Sequence, residues 1–412
     1  MTSSTRTIPP LTYLERYRNE GTRTYSAHAA YSECRPEFQP TVGASAFDLP
    51  CWELPRDAVH VYRADPPAAL EARYLPKDRA LFVVHPQVTV DDGSDPWLVR
   101  TAALGRALAP VRVSPGSSTR TLFVPGDDHA HAHALKVHFP FRVSRYGRRM
   151  REEVVEQAVA VSAEIQAWCV RADPSFAFLR EVIGVAHPRA ESDTGRGENW
   201  GYVVRDLRPF PHVAEDRVLV PGFALYGRDR FEPTLDPLIV DLADAGDPLG
   251  WTLDHVMLPV LRHWIACYRD TGFILEPHGQ NVLLELDREH EVRRLVHRDL
   301  SVGIDMRRRG DRGVPDGALN AYNRFENGIF ASIAFDRFVG GHFFSYLAGA
   351  LMERNPRLSI DDFRRPCREE FGGLCPDHDR YRPRSQHYFA EARDAHGKPL
   401  HRDTGEPPVW RP

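Results

Sequence analysis

The sequence lacks any long apolar run. No stretch approaches the roughly 18 uncharged apolar residues that a membrane-spanning helix needs, and the longest apolar run near the end, residues 343–352, is too short. The first 21 residues contain no apolar segment of the kind that a secretory signal carries. We therefore expect a cytoplasmic protein with no membrane partner.

Paired cysteines and an excess of positive charge are also lacking. None of the six cysteines lies in a C-x-x-C pair, so neither a zinc ribbon nor a dithiol redox motif is indicated. We expect reduced thiols, several of them buried, rather than a disulfide framework. The formal net charge is −4, which argues against a nucleic-acid partner bound by broad phosphate neutralisation.

What is present is a mixed order of strands and helices in 412 residues, a length that predicts two or three domains. Apolar spacing predicts a long helix that opens at Arg148 and Arg149, and a polar segment over 187–199 predicts a domain boundary. The final 40 residues are expected to be loop. The other predicted elements are strands at 80–90, 110–115, 119–124 and 133–141, a helix at 95–109, strands after 199, a helix at 251–272, a strand–turn–strand at 273–303 and helices from about 318. This order indicates an α+β fold with two main lobes and a ligand cleft between them.

Polar side chains crowd the turn of the predicted hairpin at FILEPHGQNVLLEL, residues 273–286. Glu276 and Asn281 are five residues apart, and Asp299 follows Asn281 by eighteen. Protein kinases show a similar order of a catalytic acid, an Asn and a metal-binding Asp, and such oxygen ligands suit Mg²⁺ held with nucleotide phosphates. The string HRDL at 297–300 imitates the kinase catalytic loop but follows the Asn instead of preceding it. The alternative is a polar turn with a buried, satisfied Asp.

A second group of polar residues lies between two strands, in RVSPGSSTRTLFV at 112–124. Hydroxyl groups, backbone N–H groups and a guanidinium at one turn can bind an anion. Lys136 lies on the next strand, and Arg148 would favour an anion at the start of the long helix. The alternative is a solvated basic face. The candidates in the turn itself are Ser117, Ser118, Thr119 and Arg120.

Together these motifs resemble the IucA/IucC family, the siderophore synthetases that work without a nonribosomal peptide synthetase. His85-Pro86 is similar to the strand-borne HPW motif of the family, SSTRTL at 117–122 to its S-x-R-T segment, and KVHFPFRVSRYGR at 136–148 to its K-x-n-I-T-N-x-x-R segment. WGYVVRD at 200–206 resembles its strand that ends in Arg-Glu. LEPHGQNVLLEL at 275–286 resembles its E-x-H-x-Q-N motif, and RDLSVG at 298–303 its R-D-x-x-G motif.

The resemblance implies a hand-like α+β fold in which ATP and Mg²⁺ lie between a fingers lobe and a kinase-like palm. It divides the chain into a reduced N-terminal (thumb) region at 1–79, fingers at 80–190 and palm at 191–412. By position, the residues expected to bind ATP are Ser117, Ser118, Thr119, Arg120, Lys136, Arg148, His278, Gln280 and Asn281. The expected Mg²⁺ ligands are Glu276, Asn281 and Asp299, and the expected catalytic residues are Arg120, Lys136, Arg148, His278 and Asp299.

The family activates a carboxylic acid as an acyl-adenylate, which an amine or alcohol then attacks. The implied partners are therefore these small molecules, with a homodimer as a further expectation. In the N-terminal segment NEGTRTYSAHAAYSECRPEF (19–38), the family histidines fall on Thr22 and Tyr25 and its lysine on Ala29, with His28 out of register. This leaves three hypotheses open: a ligase with a different acid or amine, a small-molecule phosphotransferase, and a non-catalytic nucleotide-binding protein.

A histidine-rich run, DDHAHAH at 127–133, could bind a metal ion. Its candidate ligands are His129, His131 and His133. The run falls where the resemblance places a variable loop between two strands. We therefore favour a solvated loop over a metal site here.

Overall fold

The computed structural model describes residues 7–22, 31–125, 132–144, 146–189, 199–215, 217–243, 246–313, 319, 323–393 and 399–412. The strands are β1 Phe47–Leu49, β2 Cys51–Pro55, β3 His60–Arg63, β4 Arg79–Val83, β5 Arg106–Ala107, β6 Val111–Pro115, β7 Thr121–Val124, β8 His133–Val137, β9 Phe139–Val143, β10 Tyr146–Arg148, β11 Phe176–Phe178, β12 Glu181–Ala186, β13 Gly201–Asp206, β14 Val218–Pro221, β15 Phe273–Ile274, β16 Val282–Leu286, β17 Val292–His297, β18 Gly303–Asp305, β19 Arg324–Phe325, β20 His387–Arg393 and β21 Pro399–Asp403.

The helices alternate with groups of strands, which confirms the predicted α+β class. They are α1 Leu11–Tyr17, α2 Ala68–Tyr74, α3 Pro86–Asp91, α4 Pro96–Leu104, α5 Glu152–Cys169, α6 Gly222–Tyr226, α7 Leu238–Leu242, α8 Pro248–Thr252, α9 Leu258–Thr271, α10 Met306–Asp311, α11 Ile329–Ser332, α12 Ser345–Arg354, α13 Ile360–Leu374 and α14 His378–Tyr381, with π-helical stretches at Leu253–Met257 and Ile333–Phe344. Among the described helices, none has the length and hydropathy to cross a membrane.

A seven-stranded sheet with the order β1-β6-β7-β8-β13-β12-β3 forms one half of the molecule. Its strands β8, β12 and β13 are buried along their whole length, and α5 packs on β12, β13 and β3. Val155, Ala158 and Ile165 of α5 are fully buried, as their helical spacing predicts. The sheet therefore holds Lys136 of β8 in a rigid, dry setting.

The predicted boundary at 187–199 is corrected by this sheet. β12 and β13, which flank that segment, pair antiparallel from Glu181–Arg205 to Ala186–Gly201. The polar segment is thus a connection between two neighbouring strands. Strands β1 and β3, from the predicted N-terminal region 1–79, also join the sheet, so sheet membership does not follow the predicted lobe boundaries.

A four-stranded sheet with the order β11-β17-β16-β14 forms the base of the other half. β16 and β17 pair antiparallel. The hairpin predicted at 273–286 does not form, because β15 pairs with β18 in a separate sheet and not with β16. Helix α9 ends at Gly272, whose φ of 75° is left-handed, as expected for a glycine after a helix. Helices α9 and α13 and the helical segment 329–354 complete the hydrophobic core of this second half.

Three other local predictions also differ from the structure. The long helix begins at Glu152 and not at Arg148, which ends β10. The strand predicted over 80–90 ends at Val83, and Pro86 opens α3 with His85 as its N-cap residue. Within the final 40 residues, expected to be loop, β20 and β21 pair as a hairpin.

Candidate functional site

Three loops meet in a cleft between the two sheets. They are the turn between β6 and β7, the turn between β15 and β16, and the segment after β17. Gln280 Nε2 donates a hydrogen bond of 3.2 Å to Ser117 Oγ, and Lys136 Nζ donates one of 2.5 Å to Asp299 Oδ1. The two groups of candidates, 163 residues apart in sequence, therefore lie together.

The centre of the cleft is an ion-pair network around Lys136. Its ammonium group also donates to Ser301 Oγ at 2.9 Å and lies 3.8 Å from Glu181 Oε1. Glu181 in turn accepts a 2.7 Å hydrogen bond from Arg205. Burial alone would raise the pKa of Asp299, but Lys136, Arg205 and Arg120 together hold it well below the usual range. Asp299 is thus an anion near neutral pH.

Two arginines beside this network form no direct ion pair within the described residues. The hydrogen bonds of Arg120 there go to the carbonyl of Arg148 at 3.3 Å and to the sulfur of Met150 at 3.1 Å. The half-buried Arg148 side chain forms no hydrogen bond or ion pair with any part of the chain that the structure describes. Burial lowers the pKa of Arg120 to about 10, and the charge of Asp299 opposes that shift. Arg120 therefore stays cationic near neutral pH, and both guanidinium groups have N–H donors available for an anion.

Positively charged side chains outnumber negatively charged ones on this side of the cleft. We call Arg120, Lys136, Arg148 and Arg205, together with the turn residues 117–119 next to Arg120, the basic wall. Its four cations face the carboxylates of Glu181 and Asp299. Uncompensated charge in a cleft is costly unless a ligand supplies the counter-charge.

The opposite side, which we call the acidic wall, consists of Glu276, His278, Gln280, Asn281 and Asp299. Burial, and then the negative charge of Asp299, raise the pKa of Glu276 to about 7, against the opposing charges of Arg148 and Lys136. Glu276 and Asp299 are therefore close enough to repel each other. Asn281 Nδ2 donates to the Glu276 carbonyl at 3.1 Å, so the amide oxygen of Asn281 is the atom that it can offer to a cation.

These three side chains fit a divalent cation. A cation between Glu276 and Asp299 would remove their repulsion, and carboxylate and amide oxygens are ligands that Mg²⁺ prefers. Within the described ranges, no group of three or more His, Cys, Asp or Glu side chains is arranged to hold a metal ion. A cation here would thus complete its shell with ligand phosphates and water, as Mg²⁺ does in nucleotide sites.

His278 lies in the acidic wall as a neutral ring. Burial lowers its pKa to about 4. Its Nδ1 accepts a hydrogen bond from the Gln280 amide at 3.2 Å, and its Nε2 lies 3.3 Å from Asn281 Nδ2. The ring of Phe338, from the π-helical stretch, contacts its edge with centroids 5.9 Å apart. The turn is therefore held by its own side chains.

Both walls place a non-glycine residue in the left-handed conformation. Thr119 and Asp299 each have a φ of 70°. Threonine is β-branched, so this conformation is a true outlier for it, and such strain costs on the order of 1–3 kcal/mol and concentrates at functional sites. The Oγ of the remaining candidate, Ser118, accepts a 3.2 Å hydrogen bond from the backbone N–H of Thr121. This bond helps to shape the turn that contains Thr119.

Sequence reasoning missed roles for three buried residues near the cleft. Glu181 and Arg205 belong to the network around Lys136, and Arg205 lies in the quoted WGYVVRD motif without an assigned role. A signal for Glu181 existed, since a lone acid in the apolar strand EVIGVA needs a buried cation. Glu15 of α1, also missed, contacts Ser117 of the basic wall and Arg298, the neighbour of Asp299 in the acidic wall.

The histidine-rich run contributes nothing to the cleft among its described residues. His133 begins β8, is buried, and shares a 2.7 Å hydrogen bond with the Tyr74 hydroxyl. His129 and His131 lie outside the described residues, as do Tyr25, His28 and Ala29 of the N-terminal segment.

No protein-family model matches the sequence, and no curated protein matches it either. Solved structures do match. The petrobactin biosynthesis protein AsbB from Bacillus anthracis str. Sterne is 15% identical with a TM-score of 0.70, over 98% of this chain and 76% of that chain. The ATP-bound aerobactin synthetase IucA from a hypervirulent pathotype of Klebsiella pneumoniae is 14% identical with a TM-score of 0.68, over 96% and 78%.

This chain has the siderophore-synthetase fold. Aerobactin synthetase IucC from the same pathotype also matches, at 13% identity and a TM-score of 0.65, over 88% of this chain and 67% of that chain. The resemblance predicted from the motifs is thereby confirmed for the fold. Identities this low carry the siderophore-synthetase fold to this chain but not the activity of its neighbours.

Proposed function

We propose that this chain is an ATP-dependent ligase that joins a carboxylic acid to an amine or alcohol through an acyl-adenylate. The observation that carries the proposal is that Arg120 and Arg148 form no direct ion pair within the described residues, although they lie beside the Lys136–Asp299 ion pair. A cleft with surplus positive charge on one side and carboxylates on the other suits a polyphosphate with its cation. The fold shared with an ATP-bound synthetase supports ATP as that polyphosphate.

In this proposal the seven-stranded sheet serves as the fingers and the four-stranded sheet as the palm, with a reduced thumb. An oxygen of the acid attacks the α-phosphorus of ATP, the bond to the β-phosphate oxygen breaks, and pyrophosphate leaves. Arg120, Lys136 and Arg148 would stabilise the charge that develops on the phosphoryl oxygens. Ser117, Ser118 and Thr119 would supply the hydroxyl and N–H groups that orient the phosphates.

The second half of the reaction transfers the acyl group. The amine or alcohol attacks the acyl carbon, AMP leaves, and the nucleophile loses a proton. His278 stays neutral at pH 7 because its pKa is about 4, so it can hold a phosphate oxygen or the nucleophile without adding charge. Glu276, Asn281 and Asp299 would hold Mg²⁺, which supplies neutralisation of phosphate charge when bound.

A second candidate function is phosphoryl transfer to a small molecule. Lys136 lies between two acids, at 2.5 Å from Asp299 and 3.8 Å from Glu181, and protein kinases also combine a lysine–glutamate pair with a metal-binding aspartate. Such a site could pass the γ-phosphoryl group to a hydroxyl or carboxylate. This alternative predicts ADP as product, whereas the ligase predicts AMP and pyrophosphate.

The nucleotide product therefore tests the proposal. The protein would be incubated with Mg²⁺–ATP and a pool of di- and tricarboxylates, amino acids, polyamines and hydroxylated amines, and the nucleotides would then be separated. We expect AMP with pyrophosphate. ADP would overturn adenylation in favour of a kinase or an acyl-phosphate ligase. Binding of ATP without turnover of any pool member would favour the third hypothesis, a non-catalytic nucleotide-binding protein.

The place of this reaction in siderophore-like or other specialised biosynthesis is part of the same proposal. Omitting one class of compound at a time from the pool would identify the acid and the nucleophile. The expected homodimer stays a prediction, which a molar mass measured by light scattering would check.

A further inference from the structure

The short helix α1 places one acidic side chain between the two walls of the cleft. Glu15 is only 1% exposed. Its Oε2 accepts a 2.9 Å hydrogen bond from the backbone N–H of Ser117 on the basic side. Its Oε1 forms a 2.5 Å ion pair with Arg298 Nη2 on the other side. A single carboxylate thus bonds to the anion-binding turn and to the segment that carries Asp299.

Three further hydrogen bonds close this arrangement into a circuit. Arg298 Nε donates to the Gln280 carbonyl at 2.6 Å, and the Arg298 amide donates to the Asn281 carbonyl at 3.0 Å. Gln280 Nε2 then donates a 3.2 Å hydrogen bond to Ser117 Oγ, which closes the circuit. The Glu15–Arg298 contact is an ion pair between two buried charges, whose loss on one side leaves an unpaired buried charge. It is therefore the strong link of the circuit, and the neutral Gln280–Ser117 hydrogen bond is the weak one.

Helix α1 is itself fixed on both sides of the cleft. Arg16, adjacent to Glu15, donates to the carbonyls of Pro40 at 2.8 Å and Gly43 at 2.9 Å, in the segment that leads into β1. On the other side, the buried Arg18 donates to the Asp236 carbonyl at 2.6 Å. The helix therefore cannot move with one side of the cleft without breaking its bonds to the other side. Through its bond to the Ser117 amide, Glu15 restricts the position of the turn at Ser117 in the same way.

We propose that Glu15 is a positioning residue, which clasps the phosphate-binding turn to the palm turn so that their separation is set before nucleotide binds. The part of this inference that concerns catalysis rests on the proposed function. Phosphates held by the basic wall must meet a cation held by the acidic wall, and a misplacement of about 1 Å costs on the order of 100-fold in rate. Glu15 touches neither the phosphates nor the cation in this scheme.

The test compares Glu15→Gln with the matched control Arg16→Gln, which loosens the same helix without touching Ser117 or Arg298. Hydrogen exchange measured by mass spectrometry in the absence of nucleotide gives the first readout. We expect peptides covering 116–121 and 278–281 to exchange at least about tenfold faster in Glu15→Gln and to be unchanged in Arg16→Gln. Unchanged exchange in Glu15→Gln would overturn the proposal that Glu15 positions the two turns. Equal acceleration in both variants would also overturn it, because the effect would then come from the general stability of α1.

Kinetics give the second readout. We expect Glu15→Gln to lower kcat about 100-fold while the ATP dissociation constant changes less than about threefold, because the cations of the basic wall remain. If Glu15→Gln does not fold, Glu15→Asp keeps the charge but shortens its reach, and should show a smaller change in both readouts. If the wild-type protein turns over no substrate, the proposed function fails, whereas the exchange experiment still decides the clasp.

Discussion

The two walls of the cleft are built in opposite ways. Lys136 and Arg205 of the basic wall lie on β8 and β13, which pair with each other inside the seven-stranded sheet. Glu276, His278 and Asn281 of the acidic wall lie on a turn, where they bond mainly to one another. Lys136 and Arg205 are thus fixed by the sheet, whereas the acidic wall is fixed by its own side chains.

The walls also differ in how their charges are satisfied. Arg120 and Arg148 form no direct ion pair in the described structure, whereas Asp299 forms one with Lys136. Glu276 avoids unfavourable charge in another way, since its pKa near 7 lets it take up a proton. The basic wall therefore keeps its positive charge without a bound anion. In the acidic wall, Glu276 lowers the negative charge by taking up a proton, which a bound cation would displace.

The largest expected effect comes from removing the one anion that both walls share. Asp299→Asn keeps the shape of the side chain but removes the charge, and Lys136 keeps Glu181 as a partner 3.8 Å away. We expect Mg²⁺-dependent ATP turnover to fall by about 1,000-fold or more, as for loss of a group that stabilises transition-state charge. Turnover would be measured at saturating Mg²⁺, alongside the melting temperature.

Asp305→Asn is the matched control for that experiment. Asp305 is fully buried on the same segment, but it accepts hydrogen bonds from Tyr268 and Arg307 and not from residues of either wall. We expect it to lower the melting temperature more than Asp299→Asn and to lower turnover less. Near-normal turnover in Asp299→Asn would remove Asp299 from the metal site.

Next in size is the loss of a cation that has no acidic partner. Arg148→Ala should weaken ATP binding by about 10- to 100-fold, because a hydrogen bond to a charged group contributes about 1.5–3 kcal/mol. It should leave the free energy of unfolding unchanged or raise it, because the side chain forms no stabilising pair. Isothermal titration calorimetry and urea unfolding measure the two quantities, and Arg120→Ala should weaken binding in the same way.

Arg112→Ala serves as the control on the same sheet. Arg112 lies on β6, is exposed and pairs with Asp48 at 3.2 Å, so its removal should change neither ATP affinity nor stability by more than about 0.5 kcal/mol. Unchanged ATP affinity in Arg148→Ala and Arg120→Ala would show that the basic wall does not bind the nucleotide.

A smaller effect should appear in the pH dependence of stability. The pKa of Glu276 is raised from 4.5 to about 7 in the folded protein, so between these values the native state holds a proton that the unfolded state has lost. Stability should therefore fall as pH rises from about 4.5 to 7, by about 1–3 kcal/mol once solvent screening in the open cleft is allowed for. Urea unfolding of the wild type and of Glu276→Gln at pH 5 and pH 8 measures this.

Mg²⁺ sharpens the same experiment. A bound cation would stabilise the ionised carboxylate, so adding Mg²⁺ at pH 8 should recover part of the lost stability in the wild type but not in Glu276→Gln. A pH dependence that is identical in the two proteins would show that Glu276 does not titrate in this range.

The motifs identify most of the candidate residues that the structure brings together, because each motif is local in sequence. The turn at 276–281 and the turn at 117–120 each carry several polar residues within six positions, so their chemistry is visible without the fold. Glu15 could not be found this way, since its contact with Ser117 spans 102 residues and α1 has only seven residues. The order of the seven-stranded sheet is hidden for the same reason, as β3 and β12 are far apart along the chain.

The errors in the predicted elements have simpler causes. The sequence predicts a helix that opens at Arg148, which is wrong, and Glu152 and Glu153 in the observed first turn are the residues that the helix dipole favours. Pro86 marked the start of α3, since proline favours the first helical position. The segment at 187–199 was polar because it connects two strands, which its composition alone does not distinguish from a linker.

The smallest expected effect concerns the direct bond between the walls. Gln280 Nε2 and Ser117 Oγ are 3.2 Å apart and both neutral, so this hydrogen bond should contribute about 0.5–1.5 kcal/mol. A double-mutant cycle with Gln280→Ala and Ser117→Ala, followed by urea unfolding, measures their coupling. We expect a coupling below about 1.5 kcal/mol and smaller than that between Glu15→Gln and Arg298→Gln, because the latter pair is charged and buried. A larger coupling for Gln280 and Ser117 would mean that the walls are joined chiefly by their own contact, and not through the N-terminal helix.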